Sequence, residues 1–368
     1  MALLMEGQLI RDTYEVERFL GEGAFAEVYR VRHRFLGRQA MKVFKAPGMS
    51  RAEIESLLDE ALLLSKIGHP NIVRVFDANI VEGDARIHGF FTMEYVAGGS
   101  LDQFWRSHGT ALVPIETTVD LMRQICRGLS VAHSESPPIV HRDIKPQNIL
   151  VGYDGAGVRV RLSDFGLAKR VNPLTLQASA RGTRAFKAPE THKNYYGDSR
   201  AGDTWALGCT LYLLLTDRLP YAEVGQWDAH DPLRFERPLI PPSRLNVLVD
   251  PVLEAIVFRA LALEPERRYA DASVLLNDLD RWSLPCPVAS RPLPTGQPLS
   301  ESKGVRGADR PADESAARQM IIQAAGLSQR AGRLAEAADL MEEAFNRWPT
   351  LREQYGGRLQ LWRRGIAM

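Results

Sequence analysis

The sequence predicts an α+β chain in which a small strand-rich lobe precedes a larger helical lobe, followed by a separate helical segment. Three observations predict it. Runs of strand-like composition separated by glycine-containing turns fill the N-terminal part. Helical periodicity takes over beyond Gly98-Gly99. A stretch rich in Pro, Ser and Gly from Leu284 to Pro311, without an apolar period, then separates the helical lobe from a last helical region.

Tyr14 to Leu20, Ala26 to His33 and Gln39 to Phe44 read as the first strands. Ser50 to Ile67 reads as a helix. Ser50 is placed as an N-cap with Glu53 three residues on, and Leu57, Leu58, Ala61, Leu62 and Leu64 supply the apolar face. Gly68-His69-Pro70 ends it. Phe76 to Ile80 and Gly89 to Val96 are two more strands, and Leu101 to His108 and Ile115 to Glu135 are helices. Trp205 to Leu215 is the longest apolar run, too short for a bilayer and so expected to be a buried core helix. Asp217 to Pro242, with Trp227, His230 and several prolines, reads as a surface loop. After the linker, Asp313 to Trp348 is helical again. Ala-Gly-Leu-Ser at 325–328, Ala331-Gly332-Arg333-Leu334-Ala335-Glu336-Ala337, Ala344 and Pro349 resemble part of a tetratricopeptide-type hairpin. One such repeat is not expected to bury a core alone, so it should dock on the rest of the chain, pair with a copy of itself or bind a partner.

Composition narrows the function classes. With 368 residues, 45% hydrophobic and 25% charged, the chain is ordinary globular protein. A formal net charge of +1, and no basic stripe with interleaved aromatics, give no pull toward nucleic acid or an anionic membrane. Cys126, Cys209 and Cys286 lie far apart, without metal-ligand spacing, and fit a reducing compartment. No signal peptide or spanning segment is visible, and a cytoplasmic location is expected.

The chemistry resides in an ordered series of motifs. Gly21-Glu22-Gly23-Ala24-Phe25-Ala26-Glu27-Val28 is a glycine-rich turn between two strands, where Gly21 and Gly23 permit close backbone approach to a ligand. Ala40-Met41-Lys42-Val43 places one lysine in an apolar strand. His141-Arg142-Asp143-Ile144-Lys145-Pro146-Gln147-Asn148 is a block too specific for chance, and Asp164-Phe165-Gly166 follows it. Gly182-Thr183 and Ala188-Pro189-Glu190 come next, then Asp203-Thr204-Trp205 and Pro265-Glu266-Arg267-Arg268.

In this order the motifs resemble the signature set of the eukaryotic-like (Hanks-type) protein kinases, over Tyr14 to about Trp282. The resemblance implies a bilobal protein kinase fold: an antiparallel N-lobe sheet with one key helix at about 14–96, and a helical C-lobe at about 97–282. Residues 283–312 are then a linker and 313–368 the helical, tetratricopeptide-like segment. It implies ATP and Mg²⁺, with Mn²⁺ as an alternative, and protein substrates carrying Ser or Thr, since Lys145-Pro146 is the Ser/Thr form of the loop. Phosphoryl transfer is mostly positioning plus charge neutralisation, and the implied roles follow that logic. Lys42 meets the phosphates and Glu60 orients it. Asp143 takes or orients the proton of the incoming hydroxyl. Lys145 steadies the transferring group, and Thr183 contacts both. Asn148 and Asp164 offer oxygen to the metal. Adenine is expected between Leu20, Val28 and Ala40 above and Leu150 below, with Met93 behind it and Glu94 and Val96 as hinge contacts. Glu190 is expected to pair with Arg268, Asp203 to brace the catalytic loop, and His141 to be buried packing. Ala26 stands where the family pattern has a third glycine, which should stiffen the loop slightly.

Arg142, beside the catalytic aspartate, and Lys169 form a cation pair for a phosphate on the segment after Asp164. Ser179 is the expected phosphosite and Thr175 the runner-up. The competing readings are a scaffold that keeps the fold without the chemistry, and an adaptor acting through 313–368. Against the first, Lys42, Asp143 and Asp164 are all present.

Overall fold

Alternating buried and exposed side chains in the first strands build one antiparallel sheet. Its strands are β1 (Leu9–Ile10), β2 (Tyr14–Glu22), β3 (Ala26–His33), β4 (Gly37–Phe44), β5 (Val75–Glu82) and β6 (Ile87–Glu94), in the order β1-β2-β3-β4-β6-β5. The computed structural model describes residues 2–23, 26–45, 51–55, 58, 67–82, 87–109, 111–155, 157–165, 184–193, 199–221, 232–283, 311–328, 333–348 and single positions to 362.

Each face of the sheet has its own core. Ala26, Ala40, Phe44, Phe91 and Met93 pack with Ile54 and Leu58 on one face, joined by the half-buried Val28, Tyr95 and Leu150. Leu4, Ile10, Tyr14, Val16, Tyr29, Val31, Met41, Val43 and Phe90 pack on the other. Residues 51–55 are helical, as the sequence reading of Ser50 to Ile67 expects, although most of that span lies outside the described residues. Ile54 sits so close to the sheet that a Cβ on Gly89 would meet its Cγ2 at 2.6 Å. Two sheet features escape the sequence reading. β1 is only two residues long, below any periodicity. β5 and β6 each start earlier than expected, because backbone pairing continues past the apolar residues that signal a strand.

The helical lobe is assembled from α1 (Leu101–Arg106), α2 (Ile115–Ser134), α3 (Arg200–Thr216), α4 (Pro251–Ala260) and α5 (Ala272–Arg281). Side chains close most of their N-terminal ends. Ser100 and Gln103 form a reciprocal capping box on α1. Ser199 accepts from the Gly202 N–H on α3, while Asp250 and Asp271 cap α4 and α5. α3 is buried along nearly its whole length, as the apolar run at Trp205 to Leu215 predicts. Gly208 lets α3 approach α4, since a Cβ there would lie 2.8 Å from the Ala260 Cβ. Arg123 of α2 donates to the Leu279 and Trp282 carbonyls at 2.6 and 2.7 Å, fixing the end of α5. The Trp282 indole donates to the Asp250 cap at 2.6 Å. The hairpin of β7 (Ile149–Asp154) and β8 (Gly157–Leu162) lies beside these helices. The sequence reading did not assign it, since it is short and follows a polar loop.

The N-terminal sheet is tied to the helices by backbone. Leu162 N–H donates to the Asn71 carbonyl at 2.8 Å and Val73 N–H to the Leu162 carbonyl at 2.9 Å. The Asn71 amide is buried against Gln124 of α2 and the Val160 carbonyl. A Cβ at Gly128 would stand 2.8 Å from the Asn71 carbonyl oxygen, so glycine is what admits the loop here.

The chain divides into two compact units, residues 1–286 and 287–368. In the second, α6 (Pro311–Ser328) and α7 (Leu334–Arg347) pack through Ala317, Ile321 and Ala324 against Ala337, Ala338, Met341, Ala344 and Phe345. The hairpin does not build this core alone, in line with the expectation for a single repeat. Leu351, Leu359 and Trp362, at helical spacing beyond α7, add a further segment and complete a core. Among the described residues no helix is long and apolar enough to cross a membrane.

Arg268 fixes the base of the first unit. Its side chain is fully buried, and its two terminal nitrogens meet the Glu190 carboxylate at 2.7 Å each. It also donates to the Ala262 and Leu263 carbonyls and lies over the Trp205 ring. Arg268→Ala leaves all of these acceptors unpaired, and we expect a loss of about 3–5 kcal/mol in chemical denaturation. A loss below about 1 kcal/mol, the size of a surface pair, would contradict this account.

Candidate active site

Three turns carry the site residues to the junction of sheet and helices. The first is the loop between β2 and β3. Gly23 N–H donates to the Ala26 carbonyl at 2.8 Å and closes it. Lys45 reaches back from the end of β4 to Glu22 and to the Gly23 carbonyl. The second is the loop at 141–148, and the third is Ser163 to Phe165 after β8.

The 141–148 loop is organised from beneath. Asp203, 2% exposed at the start of α3, accepts from the backbone N–H of His141 at 2.7 Å and of Arg142 at 2.8 Å. Its third donor is His133 Nε2 at 3.0 Å, while His133 Nδ1 accepts from the Ala272 N–H. Just beyond these two amides Arg142 has a left-handed backbone, φ 68°. The His141 ring is fully buried; its Nε2 lies 3.0 Å from the Ser163 carbonyl and its ring 4.4 Å from that of Phe165. Burial pushes the imidazole down from its ordinary range, which fits a packing and hydrogen-bonding role.

On this platform the polar side chains converge. Asp143 Oδ2 meets Lys145 Nζ at 2.9 Å and accepts from Asn148 Nδ2 at 2.9 Å. The same amide donates to the Asp143 carbonyl at 2.8 Å. Lys42 Nζ crosses from the sheet to Asp164 Oδ1 at 2.6 Å. Asp164 also has positive φ, 61°. Burial pushes the Asp164 carboxyl up. The Lys42 charge and hydrogen bond, with His141 and Lys145, outweigh it and hold the carboxyl below the usual 3.8.

The donor types suit a small hard cation. Asn148 uses its amide nitrogen on Asp143, which leaves its carbonyl oxygen to a metal, and Asp164 has a second carboxylate oxygen beyond the one on Lys42. Among the described residues no group of three or more His, Cys, Asp or Glu forms a closed cage. A pair of oxygen donors matches Mg²⁺, which retains much of its water.

Val28, Ala40, Met93 and Leu150 belong to one cluster, as the expected adenine slot requires. Ala40 is register-paired with Met93, and Val28 with Lys42. Leu20 is not part of that cluster and is 37% exposed. Glu94 pairs with Arg161 at 3.1 Å, and Val96 follows β6, half-buried. Glu60, Lys169, Thr175, Ser179 and Thr183 lie outside the described residues. Sequence reasoning missed His133 and Lys187. The Lys187 ammonium donates to the Arg142 carbonyl, and burial pushes its pKa down despite Asp143 and Asp203 nearby. A lysine between Phe186 and Ala188 was the available signal.

An antiparallel sheet above a helical lobe, with a Lys–Asp pair across the junction and an Asp–Lys–Asn cluster on a braced loop, defines the protein kinase class. A family model for the protein kinase domain matches residues 14–290, and the chain belongs to that family. Serine/threonine-protein kinase PknB of Mycolicibacterium smegmatis is 32% identical over 286 residues, 74% of this chain and 43% of that protein. Serine/threonine-protein kinase Pkn1 of Myxococcus xanthus is 36% identical over 276 residues, 73% of this chain and 38% of that protein. The kinase domain of Mycobacterium tuberculosis PknI superposes with a TM-score of 0.57 at 25% identity, covering 76% of this chain and 98% of that one. The chain spans less than half the length of these curated relatives.

Because the Asp164 carboxyl is depressed in the folded protein, its pairing stabilises the fold above the ordinary carboxyl range. That contribution is lost as pH falls through the depressed value. Carboxyl-carbon NMR should find Asp164 titrating below 3.8 in the wild type, and climbing in Lys42→Met, where burial acts unopposed by that cation. An unchanged titration in the variant would contradict the assignment.

Proposed function

We propose that the chain is a Ser/Thr protein kinase that transfers the γ-phosphate of ATP to Ser or Thr hydroxyls of proteins. The observation that carries this reading is the Asp143–Lys145–Asn148 cluster, held on a braced loop facing the Lys42–Asp164 pair. Asp143 Oδ2 is engaged by Lys145 and Asn148, which leaves Oδ1 to accept the proton of an incoming hydroxyl. As the hydroxyl oxygen bonds to the γ-phosphorus, the bond from that phosphorus to the bridging oxygen of the departing ADP breaks, and Lys145 is placed to offset the charge on the transferring group. Val28, Ala40, Met93 and Leu150 would hold the adenine, and the Gly21 and Gly23 backbone the phosphates. Asn148 and Asp164 would hold Mg²⁺, which when bound neutralises phosphate charge.

The reading extends to control and recruitment. Arg142 is exposed beside Asp143, and with Lys169 it would pair a phosphate placed by autophosphorylation on Ser179 or Thr175. Residues 313–368 would recruit a protein partner or a second copy, and the setting would be bacterial cytoplasmic signalling. A scaffold without chemistry is the weaker reading, because the three residues such proteins lose are present, and two of them, Lys42 and Asp164, are in direct contact.

Purified protein incubated with radiolabelled ATP and Mg²⁺ should incorporate label on Ser or Thr, and Asp143→Ala should lose at least about 10²-fold of the rate, the scale of a general-base contribution. Equal labelling of both proteins would remove the assignment of Asp143. No label on the chain or on a generic protein substrate would remove the kinase reading.

A further inference from the structure

The segment ahead of β1 is built into the stem of the glycine-rich loop. Leu3 N–H donates to Glu27 Oε2 at 2.8 Å, and Leu4 N–H donates to the Tyr29 hydroxyl at 3.0 Å. The Tyr29 hydroxyl in turn donates to the same Glu27 oxygen. Glu27, Tyr29 and Leu4 are 4%, 1% and 4% exposed. No lysine, arginine or histidine pairs with Glu27 among the described residues. A buried carboxylate is costly unless its hydrogen bonds are made. Here they are made by a backbone amide of the N-terminal segment and by a tyrosine that a second amide of that segment holds in turn. Burial and the bond to Glu27 push the Tyr29 hydroxyl up to about 12, so it remains a donor across the physiological range.

The geometry connects this network to the loop. Strand alternation places Ala26 and Val28 on the face with Ala40 and Met93, and Glu27 and Tyr29 on the opposite face with Leu4 and Val31. Glu27 is register-paired with Glu22 on the other stem of the loop and with Val43 of β4. The segment is anchored beyond its tip as well. Met5 N–H donates to Gln8 Oε1 at 2.9 Å, Gly7 N–H to the Val16 carbonyl at 2.8 Å, and Val16 N–H to the Gln8 carbonyl at 2.9 Å. Lys45 holds the loop from the β4 end.

We infer that residues 2–5 form a strap that positions the glycine-rich loop, with Glu27 as the positioning residue that couples the two. The inference rests on the reading that this loop receives the phosphates of ATP. Docked, the strap fixes the β3 stem and so the height of the loop backbone over the site. Released, it leaves the Glu27 carboxylate without its amide donor and the stem free to shift.

The full-length chain carrying Leu3→Pro tests this, because proline removes the amide hydrogen while keeping an apolar side chain. Two readouts separate the two claims. Without nucleotide, hydrogen exchange across residues 21–28 should rise about fivefold, the scale of one lost hydrogen bond, while exchange in α2 and α3 stays at the wild-type rate. With ATP, KM for the nucleotide should rise by a similar factor and kcat should hold within about twofold. Glu27→Gln, which keeps an acceptor oxygen for the Leu3 amide, should show a smaller rise in both. Unchanged exchange at residues 21–28 would overturn the strap. Exchange rising throughout the first unit, with KM and kcat failing together, would overturn it too, since the contact would then be a general stabiliser. Exchange rising only at the loop in Leu3→Pro, together with a wild-type protein that transfers no phosphate, would support the strap and remove the kinase reading beneath it.

Discussion

A single buried carboxylate sets the geometry on which the site depends. Asp203 takes two consecutive backbone N–H groups, those of His141 and Arg142, and a histidine from α2. Both amides are held on one carboxylate, and immediately beyond them the chain turns at Arg142, whose φ is positive. The turn then delivers Asp143, Lys145 and Asn148 to one side. Charge-assisted bonds to a buried acceptor are among the strongest available to a fold. The alternative, an unpaired Asp203 carboxylate under the loop, is strongly disfavoured.

The same economy links the two halves of the first unit. Backbone hydrogen bonds through Asn71, Val73 and Leu162 cross between the sheet and the helical lobe. Lys42 and Asp164 cross again at the site. The two lobes are therefore registered at a seam of directional bonds whose length and angle requirements are narrow. Leu150, from the hairpin beyond the 141–148 loop, packs into the cluster under the sheet. The residues proposed to hold the adenine come from both sides of this seam, so any slip between lobes would separate Val28 and Ala40 from Leu150.

Much of this was legible in the sequence, for reasons that differ by residue. The 141–148 block and Asp164 were readable because the chemistry tolerates few substitutions. The Glu190–Arg268 pair and the Asp203 brace followed from the family pattern, and the structure supplies their distances. Strand-like composition between glycine turns showed β2 to β4, and helical periodicity beyond Gly98-Gly99 showed α1. What was not legible depends on contacts distant in sequence. His133 looks like any helix histidine until α3 and α5 close on its two nitrogens. Glu27 reads as a surface charge beside a glycine loop, and only the returning N-terminal segment makes it buried. The β7–β8 hairpin is too short to show a period. In the second unit, Leu351, Leu359 and Trp362 join a core whose other residues lie on α6 and α7.

The most direct test of this account is the Asp203→Asn protein, followed by single-turnover phosphoryl transfer and by nucleotide binding. An amide of the same shape can accept at only one oxygen, so one of the two loop N–H groups faces another donor. If Asp203 sets the loop geometry, transfer falls on the order of 10²-fold, the cost of an ångström-scale misplacement, while nucleotide affinity holds within about twofold. A variant that folds, binds ATP and transfers phosphate at the wild-type rate would contradict the account at its base.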